Sequence, residues 1–183
     1  MNYLIIHGIQ GRAGKHWQQW LHDQLSSKQH NVIMETYPNP DHPDRSQWLA
    51  TAQASISNIP PEDLIIVTHS LGAVTALDLI EDMTSNIRGL VTVAGFYRDY
   101  GAELNSYFLI NHLVNIATVK NKLIKKSVVI FGDDDPYVPQ IELHALAKGL
   151  ETEPIIIPQG GHLNTDSGFV EFPILLEKCL LLA

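Results

Sequence analysis

Ser70 lies between a short apolar run and a stretch with helical spacing, a position in which a serine hydroxyl can act as a nucleophile. The run Leu64–Val67 leads directly into the segment Thr68–Gly72. A serine hydroxyl is a weak nucleophile at neutral pH, so it needs a sharp turn that brings it to a base and a helix N-terminus that favours negative charge. Gly72 leaves room for such a turn, whereas Thr68 stands where the usual G-x-S-x-G pattern has its first glycine. The alternative role for this serine is that of a helix N-cap.

Carboxylates and a histidine follow Ser70 along the chain. Three aspartates, Asp133–Asp135, come after a later apolar run, and His162 comes after the last run, behind two glycines. The order Ser, Asp, His is that of the catalytic triad in α/β hydrolases, in which the histidine takes the serine proton and the aspartate orients the histidine. We expect Asp135 rather than Asp134 to contact His162, because it lies at the turn into the following helix.

Attack by serine on a carbonyl group creates an oxyanion, which backbone N–H groups must stabilise. Leu71, at the start of the helix, supplies one of them. The loop after the first apolar run supplies the other, and we assign it to Ile9, with Gln10 as the alternative. His69 is adjacent to the nucleophile, but the chain reverses at the turn, so we predict a structural role with its side chain directed away from the site.

The substrate pocket is expected to contain Gln10, Phe96 and Tyr137. Trp17 is a fourth candidate, although packing of the first helix against the core is the favoured interpretation of its position. The chemistry predicts a small-molecule ester or amide as ligand. The sequence does not identify a protein partner.

Six apolar runs rich in Ile and Val are predicted to be the strands that carry these residues. Their hydrophobicity is continuous, which indicates parallel strands covered on both faces, and segments with helical spacing lie between them. We therefore predict a three-layer α/β fold, with about six mostly parallel strands and helices on both faces. The predicted catalytic residues follow the carboxyl ends of strands, where such sheets place their sites. The runs are Tyr3–Ile6, Val32–Thr36, Leu64–Thr68, Gly89–Ala94, Ser127–Phe131 and Pro154–Ile157.

The chain of 183 residues is expected to form a single domain, 1–183, because it contains no internal repeat, low-complexity tract or Gly/Ser linker. Segment 96–126 is longer than the usual connection in such units. It is either an ordinary helix with a loop or a small cap over a pocket.

Composition excludes several classes of function. The 12 Lys and Arg against 20 Asp and Glu give a net charge of −8, which disfavours nucleic acid as a partner. No run reaches the roughly 18 apolar residues of a membrane span, and the apolar run at the N-terminus is only strand-length. The single cysteine, Cys179, is expected to be a buried thiol, and a cytoplasmic location is expected. No H-x-H or H-E-x-x-H spacing occurs among the nine histidines, so we predict neither metal nor cofactor.

The first loop also allows a dinucleotide-binding interpretation. Gly8, Gly11 and Gly14 follow a predicted strand, and Glu35 closes the next one, about 20 residues on. The spacing, however, is not G-x-G-x-x-G, and no tyrosine is followed four positions later by the lysine that a short-chain reductase needs. The sequence therefore lacks the catalytic tyrosine–lysine pair that a nicotinamide-dependent reductase of this type needs.

Motifs along nearly the whole chain resemble the small serine-hydrolase family of the α/β-hydrolase superfamily, which includes the retinoblastoma-binding serine hydrolase and bacterial YdeN-like proteins. The resemblance implies a reduced α/β-hydrolase fold without the first antiparallel strands and a triad matching Ser70, Asp135 and His162. It also implies a hydrolase activity that is often poorly defined in substrate, and members commonly replace the first glycine of the turn. The matching segments are His7–Gly8, His16–Trp20, Tyr37–Pro40, His69–Gly72, Asp134–Pro139 and Gly161–Asn164.

Overall fold

The computed structural model describes residues 1–183 and contains one sheet of six parallel strands in the order β2-β1-β3-β4-β5-β6. From β1 the chain moves to β2 on one side and then crosses to β3 on the other side. In sheets of this type, ligands bind outside the carboxyl ends of the strands where the order reverses. The strands are β1 (Asn2–Ile6), β2 (Asn31–Met34), β3 (Leu64–His69), β4 (Gly89–Val93), β5 (Val128–Gly132) and β6 (Ile155–Ile157).

Helices cover both faces of the sheet. Helices α1 and α7 pack against alternate strand residues such as Tyr3 and Ile5, whereas α2, α3 and α6 pack on the other face against Leu4 and Ile6. Because both faces are buried, the strands show continuous hydrophobicity. No helix is both long and apolar enough to cross a membrane. The helices are α1 (Gln18–Ser27), α2 (Arg45–Ser55), α3 (Gly72–Asp82), α4 (Ser106–Leu109), α5 (Ile116–Asn121), α6 (Gln140–Gly149) and α7 (Pro173–Leu182).

The predicted three-layer α/β fold is confirmed, and the sheet is entirely parallel. Strand bounds differ slightly from the sequence prediction: β2 ends at Met34 rather than at Thr36, because its last partner on β1 is Ile5. Cys179 is fully buried in the layer of α7, as expected. Two helix starts have side-chain caps: Asp44 Oδ1 accepts a hydrogen bond of 2.8 Å from the Gln47 N–H at α2, and Asn115 Oδ1 accepts one of 3.2 Å from the Thr118 N–H at α5.

Segment 96–126 connects β4 to β5 and contains the short helices α4 and α5. Arg45 fastens it to the body of the protein: its guanidinium donates to the carbonyl oxygens of Phe108 and His112 and forms a bidentate ion pair with Asp78. The part of the segment nearest β4 forms one wall of the cavity described below, through Tyr100, Ala102, Leu104 and Asn105.

Candidate active site

The turn between β3 and α3 holds Ser70 in a backbone conformation that is uncommon for serine, with φ of +53°. The Ser70 N–H donates to the Val93 carbonyl oxygen at 2.9 Å, which ties the turn to β4. A Cβ at Gly72 would lie 2.5 Å from the His7 carbonyl oxygen, so α3 can start this close to β1 only with glycine. A turn of this kind places the serine hydroxyl at the end of a strand and the start of a helix, the position that a serine nucleophile requires.

Asp135 is the one aspartate of the three that contacts His162. Its Oδ2 lies 2.7 Å from His162 Nδ1, and its side chain is 0% exposed against 9% for the histidine. Its other oxygen, Oδ1, accepts backbone hydrogen bonds from Tyr137 and Val138 at 2.9 and 3.0 Å. The carboxylate is therefore fixed on both oxygens, and it fixes the imidazole with Nε2 free.

The other two aspartates hold the loop that carries His162. Asp133 Oδ1 accepts from the Gln159 N–H at 2.8 Å, and Asp134 Oδ1 accepts from the Gly161 N–H at 2.7 Å. Sequence reasoning assigned no role to these two aspartates. The available signal was the position of both residues directly after a buried strand.

Ser70 and His162 line the same cavity, of about 630 Å³, at the carboxyl edge of the sheet. The only hydrogen bond of the His162 side chain goes to Asp135, so none joins it to Ser70 Oγ. Nucleophile and base often come within hydrogen-bond distance only when substrate is bound. Gln10 and Tyr137 line this cavity, and the Tyr137 ring packs edge-on against His162 at 5.1 Å.

Phe96 does not line the cavity, which corrects its assignment to the substrate pocket. Trp17 does not line it either, in agreement with the favoured interpretation that this ring packs in the core. Trp17 is fully buried in the core under α1, and its Nε1 donates to the Leu163 carbonyl oxygen at 3.0 Å. Phe96 is 1% exposed and packs edge-on against Tyr100. Both rings pack between the helices and the sheet, because burial there removes their large apolar area from water.

Two backbone N–H groups beside Ser70 donate no hydrogen bond within the protein, those of Ile9 and Leu71. Gln10, the alternative to Ile9, donates its N–H to the Pro40 carbonyl oxygen at 2.7 Å and is not available. Gly8 lies against Ser70, since a Cβ there would stand 2.9 Å from the Ser70 Cβ. The arrangement offers two donors for a developing oxyanion.

A family model described as serine hydrolase matches residues 3–179. The chain belongs to the serine hydrolase family. Among solved structures, the ydeN gene product from B. subtilis is similar at 25% identity, with a TM-score of 0.91 over 99% of this chain and 97% of that one.

More distant structural neighbours of this serine hydrolase share the α/β-hydrolase fold. Est1E from Butyrivibrio proteoclasticus is 16% identical, with a TM-score of 0.70 over 98% of this chain and 88% of that one. A methylesterase from Arabidopsis is 14% identical, with a TM-score of 0.66 over 99% of this chain and 97% of that one. No curated protein matches the sequence.

The glycine loop of this serine hydrolase is folded on itself, unlike a dinucleotide-binding loop. A Cβ at Gly11 would lie 2.6 Å from the Gly8 carbonyl oxygen, and α1 begins only at Gln18. A dinucleotide site needs the glycines to open directly into the helix N-terminus that holds the pyrophosphate. Membership of the serine hydrolase family and the geometry of this loop both argue against a nicotinamide-dinucleotide site here.

His7 fixes the loop after β1, which contains the unpaired N–H of Ile9. Its Nε2 accepts from the Tyr37 N–H at 2.9 Å, so the proton resides on Nδ1, which donates to the Gly8 carbonyl oxygen at 2.7 Å. Because a trans peptide directs its C=O and N–H in opposite directions, this bond turns the Ile9 N–H away from His7. Burial lowers the pKa of His7, which keeps the ring neutral. Sequence reasoning quoted this residue only as part of a matching motif.

His69 lies in the site, which corrects the prediction that its side chain is directed away from it. Its Nε2 donates to the His162 carbonyl oxygen at 3.0 Å, and the two rings are 4.9 Å apart. The reason is that β3 extends through His69, so strand alternation directs the side chain to the face of Val67, where the His162 loop ends. The contact is a structural one: it positions the backbone of the loop.

One group away from the cavity resembles a cation site. Atoms of Asp78, Glu81 and His112 lie within 4.8 Å of one another. Asp78, however, already accepts both hydrogen bonds from Arg45, and Glu81 accepts from His112 and from the Asn115 N–H. These groups form an ion-pair network, and the guanidinium would repel a cation.

Acid is expected to destabilise the folded serine hydrolase through His7, His16 and His69. Burial lowers their pKa from 6.5, that of His16 to about 4. The unfolded chain takes up protons below pH 6.5 where the folded one does not, so the free energy of unfolding falls between pH 6.5 and 4, by at most about 1.4 kcal/mol per pH unit for each histidine. Urea unfolding at a series of pH values measures this slope. The variant His69→Gln should make this pH dependence shallower. A free energy of unfolding that rises as the pH falls from 6.5 to 4 would contradict the lowered pKa values of these histidines.

Proposed function

We propose that the protein hydrolyses carboxylic esters through an acyl-enzyme intermediate, with Ser70 as nucleophile, His162 as general base and Asp135 as the residue that orients the base. One observation carries the proposal: a serine held at positive φ on a strand-to-helix turn shares a cavity with a histidine bonded to a buried carboxylate. Ion-paired histidines are common in proteins, but this combination meets the requirements of covalent catalysis by serine.

In the proposed mechanism, His162 Nε2 takes the Ser70 proton as Oγ attacks the ester carbonyl carbon. The carbonyl oxygen becomes an oxyanion, which accepts hydrogen bonds from the Ile9 and Leu71 N–H groups. The imidazolium, stabilised by Asp135, then gives its proton to the leaving alcohol. In the second half of the reaction, His162 takes a proton from water as the water oxygen attacks the acyl carbon. The bond from that carbon to Ser70 Oγ then breaks, Oγ receives the proton from the imidazolium, and the carboxylic acid is released.

The proposed substrates are esters with a small or medium acyl chain, and small amides or peptides are the alternative. Fold neighbours include an Arabidopsis methylesterase and a thioesterase domain from the curacin biosynthetic pathway, which supports acyl chemistry on this fold. Catalysis needs no metal or cofactor in this scheme, since every step uses groups of the chain itself.

A fluorophosphonate probe tests the nucleophile. The folded protein should be labelled at Ser70, and p-nitrophenyl esters of graded chain length should be hydrolysed faster than aminoacyl p-nitroanilides. A folded wild-type protein that is neither labelled nor active on any of these compounds would favour the alternative of a hydrolase-fold binding protein with little turnover.

The variant His7→Phe is expected to lower kcat by about 10- to 100-fold with little change in KM, because the ring shape remains but the bond that orients the Gly8–Ile9 peptide is lost. Steady-state kinetics with p-nitrophenyl acetate measure the effect. The exposed His144, changed in the same way, serves as control. An unchanged kcat in a folded His7→Phe protein would show that the orientation of the Ile9 N–H does not depend on this side chain.

A further inference from the structure

Two carboxamide side chains in the wall of the catalytic cavity have buried atoms without hydrogen-bond partners. These are Gln18, with both Nε2 and Oε1 unpaired, and Asn105, with Oδ1 unpaired. The residues are 1% and 4% exposed, and both line the cavity that contains Ser70. The remaining buried groups without partners are hydroxyls, and none belongs to a residue that lines this cavity. Since buried polar groups are normally paired, this concentration of unpaired carboxamides indicates a polar ligand.

The two side chains come from segments on either side of the nucleophile. Gln18 opens α1, which follows β1, whereas Asn105 precedes α4, which follows β4. Strand β3, which leads to Ser70, lies between β1 and β4 in the sheet. Asn105 is held in place by the bond of 3.0 Å from its Nδ2 to the Tyr100 hydroxyl. A group attached to Ser70 would therefore have one carboxamide on each side.

The charges around the cavity favour a neutral ligand. Lys15 and Asp166 carry opposite charges in its lining, and Lys15 Nζ already donates to the Gln10 carbonyl oxygen at 2.9 Å. His69 and His7 are held neutral by burial, which lowers the pKa of both. No unpaired buried charge is available to balance an ionic substrate group.

We propose that Gln18 and Asn105 form a subsite for an uncharged amide group in the acyl part of the substrate, so that N-acylated amino acid esters are preferred over hydrocarbon esters. The inference rests on the proposed ester hydrolysis. A free carboxamide offers both an acceptor and N–H donors, and so it can pair with the N–H and the C=O of one amide. A hydrocarbon chain offers no hydrogen-bonding group, so it would leave all these atoms unpaired.

The test compares two esters of equal chain length, N-acetylglycine p-nitrophenyl ester and p-nitrophenyl pentanoate. Each kcat/KM is divided by the rate of hydroxide hydrolysis of the same ester, which removes the difference in intrinsic reactivity. The wild type should prefer the amide ester by about tenfold or more, and Gln18→Met should abolish most of this preference, measured as the ratio of the two corrected kcat/KM values. Gln24→Met, the same change on the same helix at a residue outside the cavity, should leave both rates unchanged.

An equal corrected rate for the two esters in the wild type would overturn the subsite, as would a Gln18→Met protein that loses both activities equally. A binding measurement separates the subsite from the hydrolase function. On titration of the ¹⁵N-labelled wild type with N-acetylglycinamide, the side-chain NH₂ signals of Gln18 and Asn105 should shift. Shifts in a protein that hydrolyses no ester would support the subsite and refute the proposed function. Absence of shifts up to the solubility limit of the compound would refute the subsite, even if Gln18→Met fails to fold.

Discussion

Replacing Ser70 by alanine is expected to lower kcat/KM for p-nitrophenyl esters by roughly 10⁴- to 10⁶-fold and to abolish fluorophosphonate labelling. The proposed mechanism forms its covalent intermediate on this hydroxyl, and the neighbouring groups retain only the modest catalysis of the oxyanion donors. The fold should not change, because alanine and serine experience similar strain at a φ of +53°. Esterase assays and thermal unfolding followed by circular dichroism measure the two effects.

Ser57 provides the matched control, since it is exposed and lies outside the cavity. Ser57→Ala should retain both activity and labelling. If Ser70→Ala hydrolysed esters at the wild-type rate while remaining folded, another nucleophile would have to be assigned.

Changing Asp135 to asparagine is expected to lower kcat by roughly 10³- to 10⁴-fold. In the wild type Oδ1 accepts two backbone N–H bonds and Oδ2 faces His162. The single oxygen of asparagine is required by those N–H groups, so its NH₂ must face His162 Nδ1. The imidazole is then held with its proton on Nε2, where it cannot accept the Ser70 proton.

Asp134→Asn is the control for this prediction. Asp134 uses one oxygen, which accepts from the Gly161 N–H, and asparagine can supply the same acceptor. Its kcat should therefore stay within about threefold of the wild type. If Asp134→Asn lost as much activity as Asp135→Asn, the effect would arise from the loop rather than from the orientation of the base.

The elements that carry the site could be predicted from the sequence because their signals are local. Continuous apolar runs such as Tyr3–Ile6 and Leu64–Thr68 define buried parallel strands, and Gly72 marks the close start of a helix. The chain order of Ser70, Asp135 and His162 followed from the order of the strands. The choice of Asp135 among three aspartates also used a local feature, the turn into the next helix.

The contacts around those residues could not be predicted, because they join segments far apart in the chain. His69 reaches the carbonyl oxygen of His162, 93 positions away, and Trp17 reaches that of Leu163, 146 positions away. The Gln10 N–H, the alternative oxyanion donor, instead donates to the carbonyl oxygen of Pro40, 30 positions away. No periodicity or motif encodes such pairings.

The amino-acid sequence by itself determined the parallel α/β sheet, the turn at Ser70 and the identity of the groups that could perform acyl transfer. The tertiary structure alone decided which N–H groups remain free, where the His69 side chain lies and which carboxamides stand unpaired in the wall of the cavity. The physical reason is that hydrophobic periodicity and backbone preference act over a few residues, whereas hydrogen-bond partners are assigned only when strands and loops pack together.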